Sequence, residues 1–136
     1  AQFNLPSGMA IDGNTLYVAD MYNNRIRKID LNTQQVTTIA GTGTAGSNDA
    51  TGTSATFSNP QGIVIVGTNL YVSDYAGHNI RKINLATTDY QVTTIAGLSS
   101  GIETPLGLAT DGRNLYIANQ LQLTIKKIDL SLSCTQ

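Results

Sequence analysis

The chain has 136 residues, 40% apolar and only 12% charged, with a formal net charge of −1 and a pI near 5.6. That length fits one domain burying on the order of 70% of its unfolded surface, and the charge excludes the clustered excess of Lys and Arg that gathers nucleic acid or anionic lipid. One cysteine, Cys134, excludes an intrachain disulfide and a Cys-rich metal site, and no run approaches the roughly 18 apolar residues of a membrane-spanning helix.

The elements follow a repeat. Pro6, Pro60 and Pro105 fall into register, each followed fourteen residues later by Asp20, Asp74 and Asn119. Between them run PSGMAIDGNTLYVAD, PQGIVIVGTNLYVSD and PLGLATDGRNLYIAN, continued by RIRKID, NIRKIN and TIKKID; the first two copies add QVTTIAG. Strands are predicted near 8–12, 15–20, 25–30 and 35–40, then 62–66, 69–74, 79–84 and 91–96, then 107–110, 114–118 and 124–129. The turns DGNT, VGTN and DGRN hold the Gly and Asn that tight hairpins use for positive φ, and Val, Ile, Tyr and Thr fill the runs between them. In RIRKID, Ile26 and Ile29 are three apart, which breaks strict alternation; a strand covered on both faces explains this, and so does a bulge. Periods of 54 and 45 residues with four short strands each point to all-β propeller blades of four-stranded antiparallel sheets, not a helical solenoid. The blades divide as 1–41, 42–97 and 98–136.

On these motifs the chain resembles the NHL-repeat family, with its Pro-x-Gly opening, LYVAD-like second strand, N-x-x-I-x-K-I-like third strand and V-x-T-x-A-G exit. Residues 40–62, AGTGTAGSNDATGTSATFSNPQG, are similar to the long connector of bacterial members. The resemblance implies a β-propeller, most often of six blades, used mainly for binding and in some members for catalysis. Three blades are half of such a ring. The third lacks a clear fourth strand, since only SLSCTQ follows KIDL, so a piece of a longer NHL protein is one reading. An open arc would leave two blade faces wet, at a cost on the order of 10 kcal/mol by area, comparable to a domain's whole stability. The expectation is therefore a homodimer, blade 3 of each chain meeting blade 1 of the other. AQFNLPSG carries no signal-peptide pattern, and low charge with abundant Thr and Asn favours an exported bacterial protein, its signal removed, over a cytosolic one.

Blade-to-blade connectors and the turns between second and third strands open on one rim of a propeller. This gathers Asp20, Tyr22, Asn23, Asn24, Asp74, Tyr75, His78 and Gln120 as a shallow polar surface for a protein or small-ligand partner, since loops on a rigid scaffold are the usual home of function. Asp20, Asp74 and Asn119 read better as Asx caps holding the following turn than as a cation site, because Asn replaces Asp in a cap but weakens a charged site. His78, the one histidine, aligns with Asn24 and Leu123 and lacks the partners of a catalytic or zinc histidine. GTGTAG at 41–46 matches G-x-G-x-x-G, but SNDATGTSATFSNP follows where a dinucleotide site needs a helix; its glycines fit a mobile loop. The runs Arg25 to Lys28, Arg81-Lys82 and Lys126-Lys127 are spread around the ring and are expected to pair with neighbouring blades or cover apolar surface, not to bind RNA. The sequence thus predicts a non-catalytic, self-associating binding module without metal or cofactor. The alternative, a propeller-type lyase or hydrolase, would place a metal in the central channel beside Met9 to Ile11, Ile63 to Ile65 and Leu108 to Thr110, where apolar side chains leave only backbone carbonyls as ligands.

Overall fold

The computed structural model describes residues 2–131. Eleven strands form three antiparallel sheets in plain chain order. Blade 1 holds β1 (Pro6–Asp12), β2 (Thr15–Asp20), β3 (Arg25–Asp30) and β4 (Val36–Ala40). Blade 2 holds β5 (Pro60–Val66), β6 (Asn69–Asp74), β7 (Asn79–Asn84) and β8 (Val92–Ala96). Blade 3 holds β9 (Pro105–Thr110), β10 (Asn114–Asn119) and β11 (Thr124–Asp129). The expectation that blade 3 lacks a clear fourth strand concerns 131–136, of which 132–136 lie outside the described residues.

The first strand of each blade begins two residues earlier than the sequence suggests, at its proline. Pro6 and Pro60 pair with Asp20 and Asp74, and the register then slips before Met9 and Ile63. A proline donates no ladder hydrogen bond, so it is tolerated at a strand's first residue and beside a bulge. Ile26 pairs with Ala19 and Ile29 with Leu16, which places the two isoleucines on opposite faces of β3, while on its β4 side the register slips between Ile26 and Arg27. Both faces of a middle blade are covered, and the core accordingly lies between blades. Tyr17, Ala19 and Ile26 of blade 1 cluster with Ile63, Leu70, Val72 and Ile83 of blade 2. On the other side of blade 2, Tyr71 and Ile80 cluster with Leu115, Ile117 and Ile102.

The glycine of Pro-x-Gly sets how closely the inner strands approach. A Cβ on Gly8 would lie 2.1 Å from the carbonyl oxygen of Gln61, and one on Gly62 would lie 2.3 Å from that of Leu106. Only glycine lets β1, β5 and β9 crowd around a common axis. Ser73 reinforces the seam, accepting from Gly62 N (2.7 Å) and donating to the Leu106 carbonyl (2.5 Å).

The residue before each third strand turns through the left-handed region: Asn24 has φ 53°, His78 φ 58° and Leu123 φ 55°. Asn visits this region readily, whereas a bulky apolar side chain is strained there. Leu123 is also 91% exposed, so no packing offsets the strain. Leu123→Asn is expected to stabilise the fold by about 1 kcal/mol, read as a higher midpoint in urea unfolding; an unchanged or lower midpoint would contradict the strain at this turn.

Candidate functional site

The rim is built by lacing each second-to-third-strand turn to the connector that enters its own blade. Tyr22 N donates to the Asn4 carbonyl (3.0 Å), Ala76 N to Ser58 (3.0 Å), Tyr75 N to Asn59 (3.2 Å) and Gln120 N to Thr104 (3.0 Å). The second-strand acid or amide anchors this lacing from below. Asp20 Oδ1 accepts from Asn4 N at 2.8 Å, Asp74 Oδ1 from Ser58 N at 2.7 Å, and Asn119 Oδ1 from Glu103 N and Thr104 N at 3.1 Å each. Each is a cap, but of the incoming connector sixteen residues upstream, not of the turn that follows. Asp20, Asp74 and Asn119 are buried, so Asp20 and Asp74 lie beneath the rim and are not part of a shallow polar surface.

Asn23 and Asn24 are also engaged in scaffolding. Asn23 Nδ2 donates to Asp20 Oδ2 (2.8 Å) and the Gln2 carbonyl (3.1 Å). Asn24 Oδ1 accepts from Asn59 N (3.0 Å) while its Nδ2 donates to the Gly43 carbonyl (3.3 Å), pinning both ends of the long connector to blade 1. His78 places Nδ1 against the Glu103 carbonyl, and so joins blade 2 to blade 3. Tyr75 Oη donates to Gln120 Oε1 at 3.3 Å across the same seam. Tyr22 is 56% exposed and projects from the rim. Of the eight predicted residues the structure thus groups Tyr75, His78 and Gln120, leaves Tyr22 on the neighbouring blade, and buries or engages the rest.

GTGTAG is neither a phosphate loop nor loose. Gly46 N donates to the Phe57 carbonyl (3.2 Å), Thr42 N to Ala55 (2.9 Å) and Asn48 N to Thr56 Oγ1 (2.8 Å), so the connector folds back on itself. Its clamp is Arg81, which the sequence reading assigned to blade packing. Arg81 is fully buried beneath the connector, donating to the carbonyls of Thr56 (2.7 Å) and Asn48 (3.0 Å) and to Asp49 Oδ1 (2.8 Å), with its guanidinium over the Phe57 ring at 4.9 Å. Asp49 also accepts from Thr94 N and Oγ1, and these bonds hold its carboxyl below the usual range against the opposing effect of burial. Asp49 was not singled out in the sequence; an acid inside a Gly/Ser/Thr connector was its only signal.

Arg27 likewise pairs within its own blade, Nε to Asp20 Oδ2 at 3.1 Å, and lies over Phe3. Of the two expectations for this run, pairing with a neighbouring blade does not hold for Arg27, whereas its place over Phe3 fits the covering of apolar surface: Arg27 is opposite Val18, which makes it the diagonal neighbour of Asp20 on the same face. Lys28 does reach across, to Tyr90 Oη at 3.3 Å, and Arg25 Nη2 donates to the Thr42 carbonyl at the start of the connector (3.0 Å). In blade 2 the corresponding ion pair is looser. Arg81 Nη1 lies 3.5 Å from Asp74 Oδ2, and neither Asp74 Oδ2 nor Arg81 Nε has a hydrogen-bond partner among the described residues. The donor that Asn23 supplies in blade 1 is missing because Gly77 stands there, its position so tight that a Cβ would lie 2.5 Å from Asp74 Oδ2. Burial raises the Asp74 carboxyl from 3.8 to about 7, against the lowering by Ser58 N–H and Arg81. Blade 3 changes the whole set together, with Ile102, Asn119 and Lys126 where blade 2 has Phe57, Asp74 and Arg81.

The family model described as NHL repeat matches residues 3–29, from the end of a connector through the third strand, and the other two sheets repeat that unit. The chain is built of NHL repeats. NHL repeat-containing protein 2 from Bos taurus is 39% identical over 97 residues, covering 68% of this chain and 13% of that protein. The Homo sapiens protein of the same name is 39% identical over 100 residues, covering 70% and 14%. The NHL repeats described here therefore span about a seventh of the length of these curated relatives. A putative phosphatase from Bacteroides thetaiotaomicron superposes with a TM-score of 0.73 at 21% identity, over 89% of this chain and 34% of that one. An auxiliary nutrient binding protein from Bacteroides ovatus does so with a TM-score of 0.71 at 18% identity, over 84% and 34%. At such identities the likeness is one of fold. Among the described residues no three His, Cys, Asp or Glu side chains converge as a metal site would require.

Proposed function

We propose that the chain is a non-catalytic NHL propeller module that binds a protein segment or small polar ligand on its loop rim, and that its first partner is a second copy of itself, closing a six-bladed ring. The observation that carries the binding reading is the division of labour on the rim. Titratable and amide groups beneath it hold backbone, while Tyr22, Tyr75 and Gln120 stand at its surface on turns fixed by those bonds. Aromatic faces beside an amide on a rigid frame suit an uncharged polar ligand, such as a peptide backbone or a sugar, at low ordering cost. The nutrient-binding role named for the structural neighbour from Bacteroides ovatus is compatible with such a ligand. His78 is turned to a backbone carbonyl and Asp20 and Asp74 are buried in caps, which leaves these titratable groups poorly placed to act on a bound molecule.

Amide chemical-shift mapping against a panel of short peptides and neutral oligosaccharides tests the binding reading. The expected result is perturbation concentrated at 20–24, 74–78 and 119–123 for at least one probe, abolished in Tyr22→Ala/Tyr75→Ala with the fold intact. Perturbation confined to another face, or none across the panel, would overturn it.

A further inference from the structure

Each blade opens with Pro-x-Gly, and in two of the three the reason for the glycine is on view. Gly8 faces the Gln61 carbonyl and Gly62 the Leu106 carbonyl, each the middle residue of the next blade's Pro-x-Gly, at distances that leave no room for a Cβ. Gly107 holds the same position in blade 3, yet a Cβ there would meet only the Ala118 Cβ, at 4.0 Å. Its φ is not among the positive ones, so neither backbone conformation nor any described neighbour calls for glycine. What is missing is the carbonyl of another residue following a proline at the head of a first strand. Of the three such residues in the chain, Gln61 and Leu106 are already seated against glycines; Ser7 is exposed.

The faces show the same vacancy in side chains. Between blades 1 and 2, Tyr17, Ala19 and Ile26 cover Ile63, Leu70, Val72 and Ile83. Blade 3 repeats the covering half as Tyr116, Ala118 and Ile125, and Ile125 is 70% exposed where Ile26 and Ile80 are fully buried. Blade 1 repeats the covered half as Met9, Leu16, Val18 and Ile29, which with Phe3 and Pro6 line an apolar cleft of about 150 Å³; Met9 is 63% exposed where its counterpart Ile63 is 6% exposed. The chain therefore carries a further copy of each half of an interface that it forms twice internally, with Met9 and Ile125 left exposed although Val18 is buried.

We infer that blade 3 of one chain docks on blade 1 of a second copy, with Gly107 Cα seated against the backbone carbonyl of Ser7 of the partner subunit and Ile125 over the cleft lined by Met9, Leu16 and Ile29. A two-fold axis makes this contact twice and closes six blades, within the four to eight that propellers use, whereas three copies would need nine. The inference rests on the self-association proposed above and names its contact.

The test compares the wild-type chain with Gly107→Val and Ile125→Lys by light scattering from 1 to 100 µM, with far-UV circular dichroism as a check on folding. Wild type is expected to have twice the chain mass. Because the monomer has room at 107 and solvent at 125, both variants are expected to keep the wild-type spectrum while the dimer dissociation constant rises by about 100-fold or more, the Val side chain entering two tight seams per dimer. A wild-type dimer that neither variant weakens would overturn the contact and leave self-association standing. A monomeric wild type at 100 µM would overturn both.

Discussion

Arg81→Met is expected to destabilise the fold by about 3–5 kcal/mol at neutral pH, by far more than a surface substitution. The Arg81 side chain is fully enclosed, and its removal strips a donor from the carbonyls of Thr56 and Asn48 and from Asp49, and a counter-charge from buried Asp74. Methionine retains most of the stem but gives up the guanidinium over Phe57, so the loss reports the orphaned polar groups together with that cation–π contact. Because those groups belong to the connector, the damage should extend beyond the blade 2 sheet: faster amide exchange is expected at Gly46, Asn48 and Thr56, whose N–H groups bond within it. Adding Asp74→Asn should recover part of the loss, since without Arg81 the buried Asp74 is pushed still further up and folding must hold it as a protonated acid, a cost that an amide does not carry. Urea unfolding with hydrogen exchange measures both effects. A loss below about 1 kcal/mol would mean that the connector is held by its own backbone bonds and not by Arg81.

Raising the pH from about 4 to about 7 is expected to weaken the wild-type fold, the opposite of the usual behaviour of a paired acid. Burial lifts the Asp74 carboxyl from 3.8 to about 7, so within that window the folded chain holds a proton that the unfolded chain has released, and stability falls with each unit of pH. Once Asp74 is fully ionised the cost is on the order of 4 kcal/mol relative to pH 4. Asp49, Asp111 and Asp129 are shifted the other way by their hydrogen bonds. Their contribution is present above about pH 4 and is lost only below it, so the two trends occupy separate windows and stability should peak near their junction. Asp74→Asn should abolish the decline between pH 4 and 7. Asn119 shows that an amide serves in the same place, its Oδ1 accepting two N–H groups and its Nδ2 donating to the Gly101 carbonyl at 2.8 Å. Melting temperatures at half-unit steps from pH 3.5 to 8 test this; a wild-type profile flat or rising from 4 to 7 would contradict it.

The blades were legible in the sequence because one register of proline, Asp or Asn, and isoleucine repeats three times, and because hairpin turns are local chemistry. Their first strands started early because Pro6 and Pro60 pair across a bulge, which no alternation pattern reports. The cap at Asp20, Asp74 and Asn119 was legible as a cap but not in its direction: an Asx side chain bonds the following turn when the structure is local, and here tertiary packing brings the upstream connector closer. Asp49 could not be found, because its role depends on Arg81 and Thr94, residues brought to it only when the connector folds over the blade. The joint change from Phe57, Asp74 and Arg81 to Ile102, Asn119 and Lys126 was present in the aligned repeats, and acquires meaning only once the guanidinium is seen between ring and carboxylate. Sequence grouped the rim as a surface; the structure separates those of its residues that hold backbone from those left facing solvent.

The proposed dimer joins the blade 1 face that bears exposed Met9 to the blade 3 face that bears exposed Ile125. Small-angle X-ray scattering of the wild-type chain at tens of micromolar tests it most directly. Two copies joined face to face should give twice the 14.4 kDa chain mass and the distance distribution of a closed disc with a central channel, whereas a particle of single-chain mass shaped as an open arc would contradict the account.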